Sequence, residues 1–446
     1  MHGLVSTSIL MRGRGHMSSS LGRSYSEARG TPPQAVPSDD WRDEVIAAKR
    51  LLHSHQSLED WSSEGFAALP VPFPPTPATT APPRDPSAGS VDRLVPALFT
   101  LVTCALRGWD LADDGALSPR GIQRILHDHP LQCVGSTNDG GPVYLSGKAY
   151  IEYMLCCDGD CDDEPIYIFD RHVLRVPPRG GAEKSSEIVE EETAEEGQPP
   201  AVTAARAAMR AAYGGGQPPM LIGSDDPLEW QRAIFERLPP RLRPALRYLL
   251  LAPPRSGTVI HIDPCFTSTW NTVTHGMKRW AVIHPSCPRE IAEGATPPEG
   301  CEWSLLEWFT IEWPKLQARC AELGYATYDF VQRKGETAYV PPGWWHAVLN
   351  LSNSVAVTHN VLHSKTLQGL LDDAIAAGPG QGGGREGGEG DGGEGEGGDA
   401  LEDDEVIERV AAHLELDLDV RDGLEGVRAW LRDLMEEGAI RTDAPL

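Results

Sequence analysis

The chain has 446 residues and a net charge of −26 at neutral pH, a balance that argues against binding nucleic acid by neutralising its phosphates and suits a basic protein partner. Nine cysteines, an odd number with no C-x-x-C pair, exclude a disulfide framework and a zinc ribbon and point to a reducing compartment. No run approaches the roughly 20 apolar residues needed to span a bilayer, and 46 Gly and 38 Pro, gathered in a few stretches, favour one compact domain with disordered additions.

Residues 1–36 show no sustained apolar periodicity and are expected to be disordered. Their Ser-rich start, with Arg12, Arg14 and Arg23 and no acid before Glu27, reads equally as an untargeted arm or an organelle transit peptide. Within 37–66, Asp39 and Asp40 predict a helix cap ahead of an apolar face through Trp41, Val45, Ile46, Leu51 and Leu52, with a second short helix around Leu58 and Trp61. Eight prolines between 67 and 89 make 67–92 a stiff linker or surface wrap.

Residues 93–176 read as the first part of the main domain. Ser118-Pro119 predicts a helix through Ile122, Ile125 and Leu126, and 143–154 and 166–169 read as strands. The run from Asp110 to Gly115 is no calcium loop, because Ala112 takes a ligand position and Gly121 stands where the bidentate Glu belongs. Cys156, Cys157 and Cys161, beside Asp158, Asp160, Asp162 and Asp163, read as free thiols in an acidic loop, since adjacent cysteines rarely ligate one ion together. Residues 177–219, Pro/Gly-bounded, acidic and then Ala-rich, read as an insertion that leaves the core.

Within 220–376 a helix is predicted over 230–238. Short strands follow over 248–263, 270–274, 278–284, 337–340, 347–351 and 355–361, with helix near 316–323 and again over 367–376. That succession predicts a mainly β sandwich or barrel. A Gly/Glu-rich linker, 377–404, leads to acidic amphipathic helices in 405–446. Residues 183–196 hold seven acids against one lysine and 385–409 eleven against two arginines, so over half of the charge excess sits in two segments outside the expected core.

Chemistry concentrates between Thr258 and Lys278. His261 and Asp263 stand two apart among apolar residues, which on a strand puts both side chains on one face. The best second imidazole is His346, in a strand-like run entered through Pro341-Pro342-Gly343. Two imidazoles and one carboxylate with open positions suit non-haem Fe(II) and its oxygen chemistry. Taken singly, His261 and Asp263 also fit a hydrogen-bonded core pair and His346 a packed strand histidine; His275, His284, His359 and His363 read as structural or surface residues.

The stretches Pro253-Pro254-Arg255-Ser256-Gly257-Thr258, His261-Ile262-Asp263-Pro264, Trp270-Asn271, Gly276-Met277-Lys278-Arg279-Trp280 and Pro342-Gly343-Trp344-Trp345-His346 together resemble the JmjC-domain oxygenases. Adding Asn138-Asp139-Gly140, Tyr150-Ile151-Glu152-Tyr153-Met154 and Tyr167-Ile168-Phe169-Asp170, the likeness is greatest to the bifunctional arginine demethylase and lysyl-hydroxylase subfamily. It spans roughly 105–365, less the insertion.

The resemblance implies a double-stranded β-helix of the cupin or jelly-roll kind with flanking helices, using Fe(II), 2-oxoglutarate and O2. By the same resemblance His261, Asp263 and His346 bind Fe(II), and Lys278 pairs with the distal carboxylate of 2-oxoglutarate, helped by Thr258. Asn271, Tyr167 and Thr358 match further cosubstrate positions, with Asn360 beside them. The transfer has a physical reason: a lysine beside Trp280, Val282 and Ile283 is costly to bury unpaired, and a dianion supplies the missing charge.

The implied activity is a dioxygenase acting on side chains of a Lys/Arg-rich protein, lysyl hydroxylation first and arginine demethylation second, with no direct nucleic-acid or membrane ligand and homo-oligomerisation open. Two other classes compete: a catalytically silent scaffold binding partners through its acidic segments, and a cupin isomerase or small-molecule dioxygenase, which usually needs more His ligands and leaves Lys278 unexplained. The subfamily's basic runs for nuclear import and nucleic-acid association are missing, which leaves nucleus, cytoplasm and an organelle as alternatives.

Overall fold

A computed structural model describes residues 40–52, 97–100, 109–136, 141–156, 165–174, 200–212, 234–239, 242–244, 246–295, 304–376, 401, 403–420, 422–438 and 440–441. The N-terminal arm, the expected helix around Leu58, the Pro-rich run, residues 138–140, Cys157, Cys161, the acidic run 183–196 and the Gly/Glu tract 378–400 lie outside the described residues.

Local signals start the N-terminal elements where expected. Helix α1 (Trp41–Leu52) begins where the Asp40 carboxylate accepts the Arg42 N–H at 3.0 Å. Strand β1 (Ala97–Thr100) precedes α2 (Pro119–Ile125), whose first turn is capped by the Ser118 side chain accepting from Gly121 N–H. Strands β2 (Pro130–Ser136) and β3 (Pro142–Ser146) pair antiparallel.

The expected strand over 143–154 is strand only in its first third: β3 ends at Ser146 and α3 (Gly147–Cys156) follows. Gly147 lets the chain pass so close to Leu126 that a Cβ there would stand 2.1 Å from its carbonyl oxygen. Ser146 Oγ accepts the Ala149 N–H, and Tyr150, Ile151 and Met154, spaced for a helix, are buried together. After β4 (Ile168–Asp170), residues 200–212, expected to leave the core, form α4 (Pro200–Ala212) and pack back on it. Arg206 and Met209 are buried, and Asp110 N–H donates to Ala212 O at 3.0 Å. Of the helix expected over 230–238, the described residues show one 3-10 turn, Ile234–Arg237.

From here the chain switches between two sheets: β5 (Arg247–Ala252), β6 (Gly257–His261), β7 (Ser268–His275), β8 (Met277–Ile283), β9 (Thr327–Arg333), β10 (Glu336–Val340), β11 (Trp345–Asn350) and β12 (Ser354–Val361). The order is β1-β10-β7-β12-β5-β4-β2-β3 in the larger sheet and β6-β11-β8-β9 in the smaller, with every pairing antiparallel. This is the expected double-stranded β-helix. Gly276 (φ +83°) turns the corner from β7 to β8; a Cβ there would meet Asn353 O at 2.1 Å.

Strand β9 was not expected. Its Asp329 and Gln332 break the apolar pattern, yet both are buried, because Arg279 and the Trp280 indole N–H bond them from β8. The excursion near 316–323 starts earlier, with a capping box at Ser304 and Glu307, a π turn Trp308–Glu312 and α5 (Trp313–Leu323). Helices α6 (Ser364–Ala376), α7 (Asp404–His413) and α8 (Gly423–Glu436) close the chain.

Alternation along the strands sorts the core. Leu249, Leu251, Val355 and Val357 pack on the N-terminal helices, and Ala281, Ile283, Trp345, Ala347 and Leu349 pack under α5. The opposite strand faces carry Trp280, Val282 and Val348, and Tyr167, Tyr248 and Ala356, in separate clusters. No helix among the described residues is long and apolar enough to cross a membrane.

Candidate functional site

His261 ends β6 and lies opposite His346 of β11 in the antiparallel register, while Asp263 follows two residues on. The imidazole rings stand 4.2 Å apart, and Asp263 Oδ1 and Oδ2 lie 3.9 Å and 3.7 Å from Nε2 of His261 and His346. Each ring has its Nδ1 at the carbonyl two residues before it, Val259 O at 2.8 Å and Trp344 O at 3.0 Å. With Nδ1 donating there, both Nε2 lone pairs are free to face Asp263. These groups make the one cluster of at least three potential metal-binding side chains among the described residues, with ligand atoms within 4.8 Å of one another.

Burial, with His346 second, pushes His261 down to about 3, so it stays a neutral donor at neutral pH. Burial also raises Asp263, against the pull of His346 and the Asn360 side chain. Trp280 stacks on His346 with centroids 6.0 Å apart and walls that side. Two imidazole nitrogens and one carboxylate turned toward one another form a donor set that fits a divalent metal with positions left for other ligands.

Strand β8 places Lys278 on the face it shares with Trp280 and Val282, and β11 places His346, Val348 and Asn350 opposite Val282, Trp280 and Lys278. Lys278 is 1% exposed, and no carboxylate pairs with it among the described residues. Its Nζ sits 5.9 Å from the centroid of the Tyr167 ring, and burial pushes its pKa down to about 7. Asn271 and Thr358 face each other across β7 and β12; Asn271 Oδ1 is buried without a hydrogen-bond partner, while the Thr358 hydroxyl reaches Thr269 Oγ1 at 3.0 Å.

Lys278, Asn271 and Thr358 are thus buried on barrel strands and Tyr167 just before β4, with Lys278 paired to no carboxylate among the described residues. Two expected residues are less directly engaged. Thr258, half-buried on β6 opposite Val348, makes no bond to Lys278. Asn360 turns its amide to Thr267 Oγ1 at 2.9 Å, beside Asp263 rather than beside Lys278. Sequence reasoning passed over Asn350, which lies opposite Lys278 with its Nδ2 donating to Ser256 O at 2.8 Å and its Oδ1 buried and unpartnered. Its one sequence signal is an amide inside an apolar strand.

Comparison with known proteins agrees with this geometry. Residues 248–361 match the model of the JmjC domain, hydroxylase. The chain is 28% identical over 333 residues, 70% of each chain, to the bifunctional arginine demethylase and lysyl-hydroxylase psr-1 of Caenorhabditis briggsae. It is 35% identical over 263 residues to the arginine-specific demethylase JMJ22 of Arabidopsis thaliana, covering 56% of this chain and 41% of that protein. Over 116 residues, 26% of this chain and 24% of the other, it is 28% identical to the 2-oxoglutarate and iron-dependent oxygenase JMJD4 homolog of Drosophila melanogaster. The matched span holds β5 from Tyr248 through β12 with His261, Asp263, Lys278 and His346, and over it the chain is similar to the JmjC-domain hydroxylases.

Proposed function

We propose that this protein is an Fe(II)- and 2-oxoglutarate-dependent dioxygenase that hydroxylates lysine side chains of Lys/Arg-rich proteins. The observation that carries the reading is one barrel holding both a His, His, carboxylate donor set and a buried lysine that no carboxylate among the described residues pairs. The first suits Fe(II), and the second suits a dicarboxylate whose far end lies deep in the barrel.

In this reading His261 and His346 give their Nε2 lone pairs to the metal and Asp263 one oxygen, offsetting part of its charge. When bound, iron and 2-oxoglutarate use O2 for an oxidative decarboxylation that leaves succinate and CO2 and puts one oxygen atom into a substrate C–H bond. Lys278 holds the distal carboxylate by charge, Asn271 and Asn350 offer amides from β7 and β11, and Tyr167, Thr358 and Thr258 shape the pocket. Burial of these groups keeps water from the reacting centre.

Oxygen placed on a lysine side-chain carbon leaves a stable alcohol. Placed on an N-methyl group of arginine it leaves a hemiaminal that loses formaldehyde, so one site serves both outcomes. The likeness to psr-1, whose name carries both activities, supports either outcome, and the likeness to JMJ22 supports the second. The net charge of −26 favours a basic protein substrate for either.

His346→Ala is expected to reduce succinate formation from 2-oxoglutarate to the enzyme-free background, measured with substrate peptide present. Normal turnover in that variant would refute the ligand assignment.

A further inference from the structure

Strand pairing fixes two of the three candidate ligands and leaves the third to a turn. His261 closes β6 and lies opposite His346 of β11, so the smaller sheet sets the two imidazoles against each other. Asp263 comes after β6 has ended, on the crossing 262–267 that carries the chain to β7 in the larger sheet. Its approach to the two Nε2 atoms therefore depends on how that crossing is held.

The crossing runs against ordinary backbone preference. Asp263 and Thr267 are extended on either side of it, while Cys265 and Phe266 between them are left-handed, φ 57° and 49°. Non-glycine residues avoid that region and persist in it only where surrounding contacts over-determine them. Pro264 restricts its own φ and no other.

Thr267 supplies the ties. It gives both its N–H, at 3.2 Å, and its hydroxyl, at 2.8 Å, to the Pro264 carbonyl, which closes the turn. The same hydroxyl accepts from Asn360 Nδ2 at 2.9 Å. Asn360 is itself set in β12, paired with Thr269 of β7 and with its N–H on Leu246 O at 2.8 Å. Thr267 is 1% exposed and Asn360 5%, so water cannot readily replace a partner lost from either bond.

We infer that Thr267 is a positioning residue for the metal centre: its hydroxyl, donating to Pro264 O and accepting from Asn360, pins the turn after Asp263 to the larger sheet and so aims the carboxylate at the imidazoles held by the smaller one. This rests on the metal-ligand reading above. Without the hydroxyl the turn relaxes toward right-handed backbone and Asp263 loses its fixed approach. Groups that orient metal ligands typically carry about 10- to 100-fold in metal affinity.

The test uses the full chain and Mn(II) alone, followed by calorimetry and by the electron paramagnetic resonance of free Mn(II), with thermal unfolding recorded for each variant. Thr267→Val, of nearly the same shape without the hydroxyl, is expected to weaken Mn(II) binding about tenfold or more. Thr267→Ser, which keeps the hydroxyl, retains most of the affinity. Thr272→Val is the control: it removes another buried hydroxyl bond of β7, 2.7 Å to Thr337, and is expected to melt lower with Mn(II) affinity unchanged. If Thr267→Val does not fold, Thr267→Ala, which loses the same bonds without forcing a methyl into the place of the hydroxyl, stands in for it.

Wild-type affinity in the variant that lacks the hydroxyl overturns the inference. So does an equal loss in Thr272→Val, which would mark a general loosening of β7, or in Thr267→Ser, which would assign the effect to the lost methyl. A wild type that binds Mn(II) no better than His346→Ala overturns the metal-ligand reading itself, so the two failures are distinguishable.

Discussion

Lys278→Met is expected to stabilise the ligand-free protein while removing its affinity for 2-oxoglutarate. The side chain is 1% exposed and unpaired with any described carboxylate, so the fold carries a desolvation penalty that methionine, of similar length, lacks. Replacing buried ionic groups by apolar ones of like volume commonly gains about 1–4 kcal/mol. Binding moves the other way: a distal carboxylate left without its cation costs about 3–5 kcal/mol, a loss of more than roughly 100-fold.

The sign with pH follows from burial lowering Lys278 from 10.5 to about 7. Below about 7 the folded chain carries the buried ammonium and the penalty is complete. As pH rises from there toward 10.5 the folded chain sheds the proton while the unfolded chain keeps it, so stability rises, and above that window the penalty is gone. The wild type should therefore show this slope in denaturant melts and Lys278→Met should not. Affinity for the dianion should fall as pH climbs above about 7, with a proton taken up on binding. A methionine variant that melts lower and still binds 2-oxoglutarate would remove Lys278 from the site.

The largest expected loss of stability lies on the opposite face of the same strand. Arg279 and Asp329 are both almost fully buried and joined by two bonds, Nε to Oδ1 at 3.0 Å and Nη2 to Oδ2 at 2.8 Å, and Trp313 Nε1 adds a third to Oδ2 at 2.9 Å. Arg279→Met leaves the Asp329 carboxylate buried without its guanidinium, and about 3–5 kcal/mol of destabilisation is expected. The double variant Arg279→Met, Asp329→Leu should recover most of it, retaining about 1–3 kcal/mol for the stranded Trp313 N–H. Urea midpoints at unchanged slope measure both. Single variants within 1 kcal/mol of wild type, a scale set by exposed pairs, would show the pair to be hydrated.

The contrast between these neighbours explains what could be read beforehand. Lys278 among apolar strand residues, His261 two before Asp263, and His346 after a Pro-Pro-Gly turn are local patterns that survive without coordinates. The strand patterns of β7, β8 and β10 to β12 were legible for the same reason, whereas the single strand expected over 248–263 is two, β5 and β6, which enter different sheets. Strand β9 was not legible, because Asp329 and Gln332 look like surface residues until Arg279 and Trp280 supply their partners. Nor was α3, where helical spacing of Tyr150, Ile151 and Met154 overlaps a strand-like start at Val143. Asn350 shows the same limit: what it faces is Lys278, which only the folded chain brings opposite it.

The most direct measurement of the central claim is mass spectrometry on a pool of Lys/Arg-rich and Arg-methylated peptides, incubated with the protein, Fe(II) and 2-oxoglutarate beside the His346→Ala control. The account predicts one added oxygen on lysine, formed only with 2-oxoglutarate and absent in the control. Loss of methyl groups from arginine instead would make the protein a demethylase. If 2-oxoglutarate is consumed no faster by the wild type than by His346→Ala, the oxygenase account is contradicted, and a scaffold built on the same barrel takes its place.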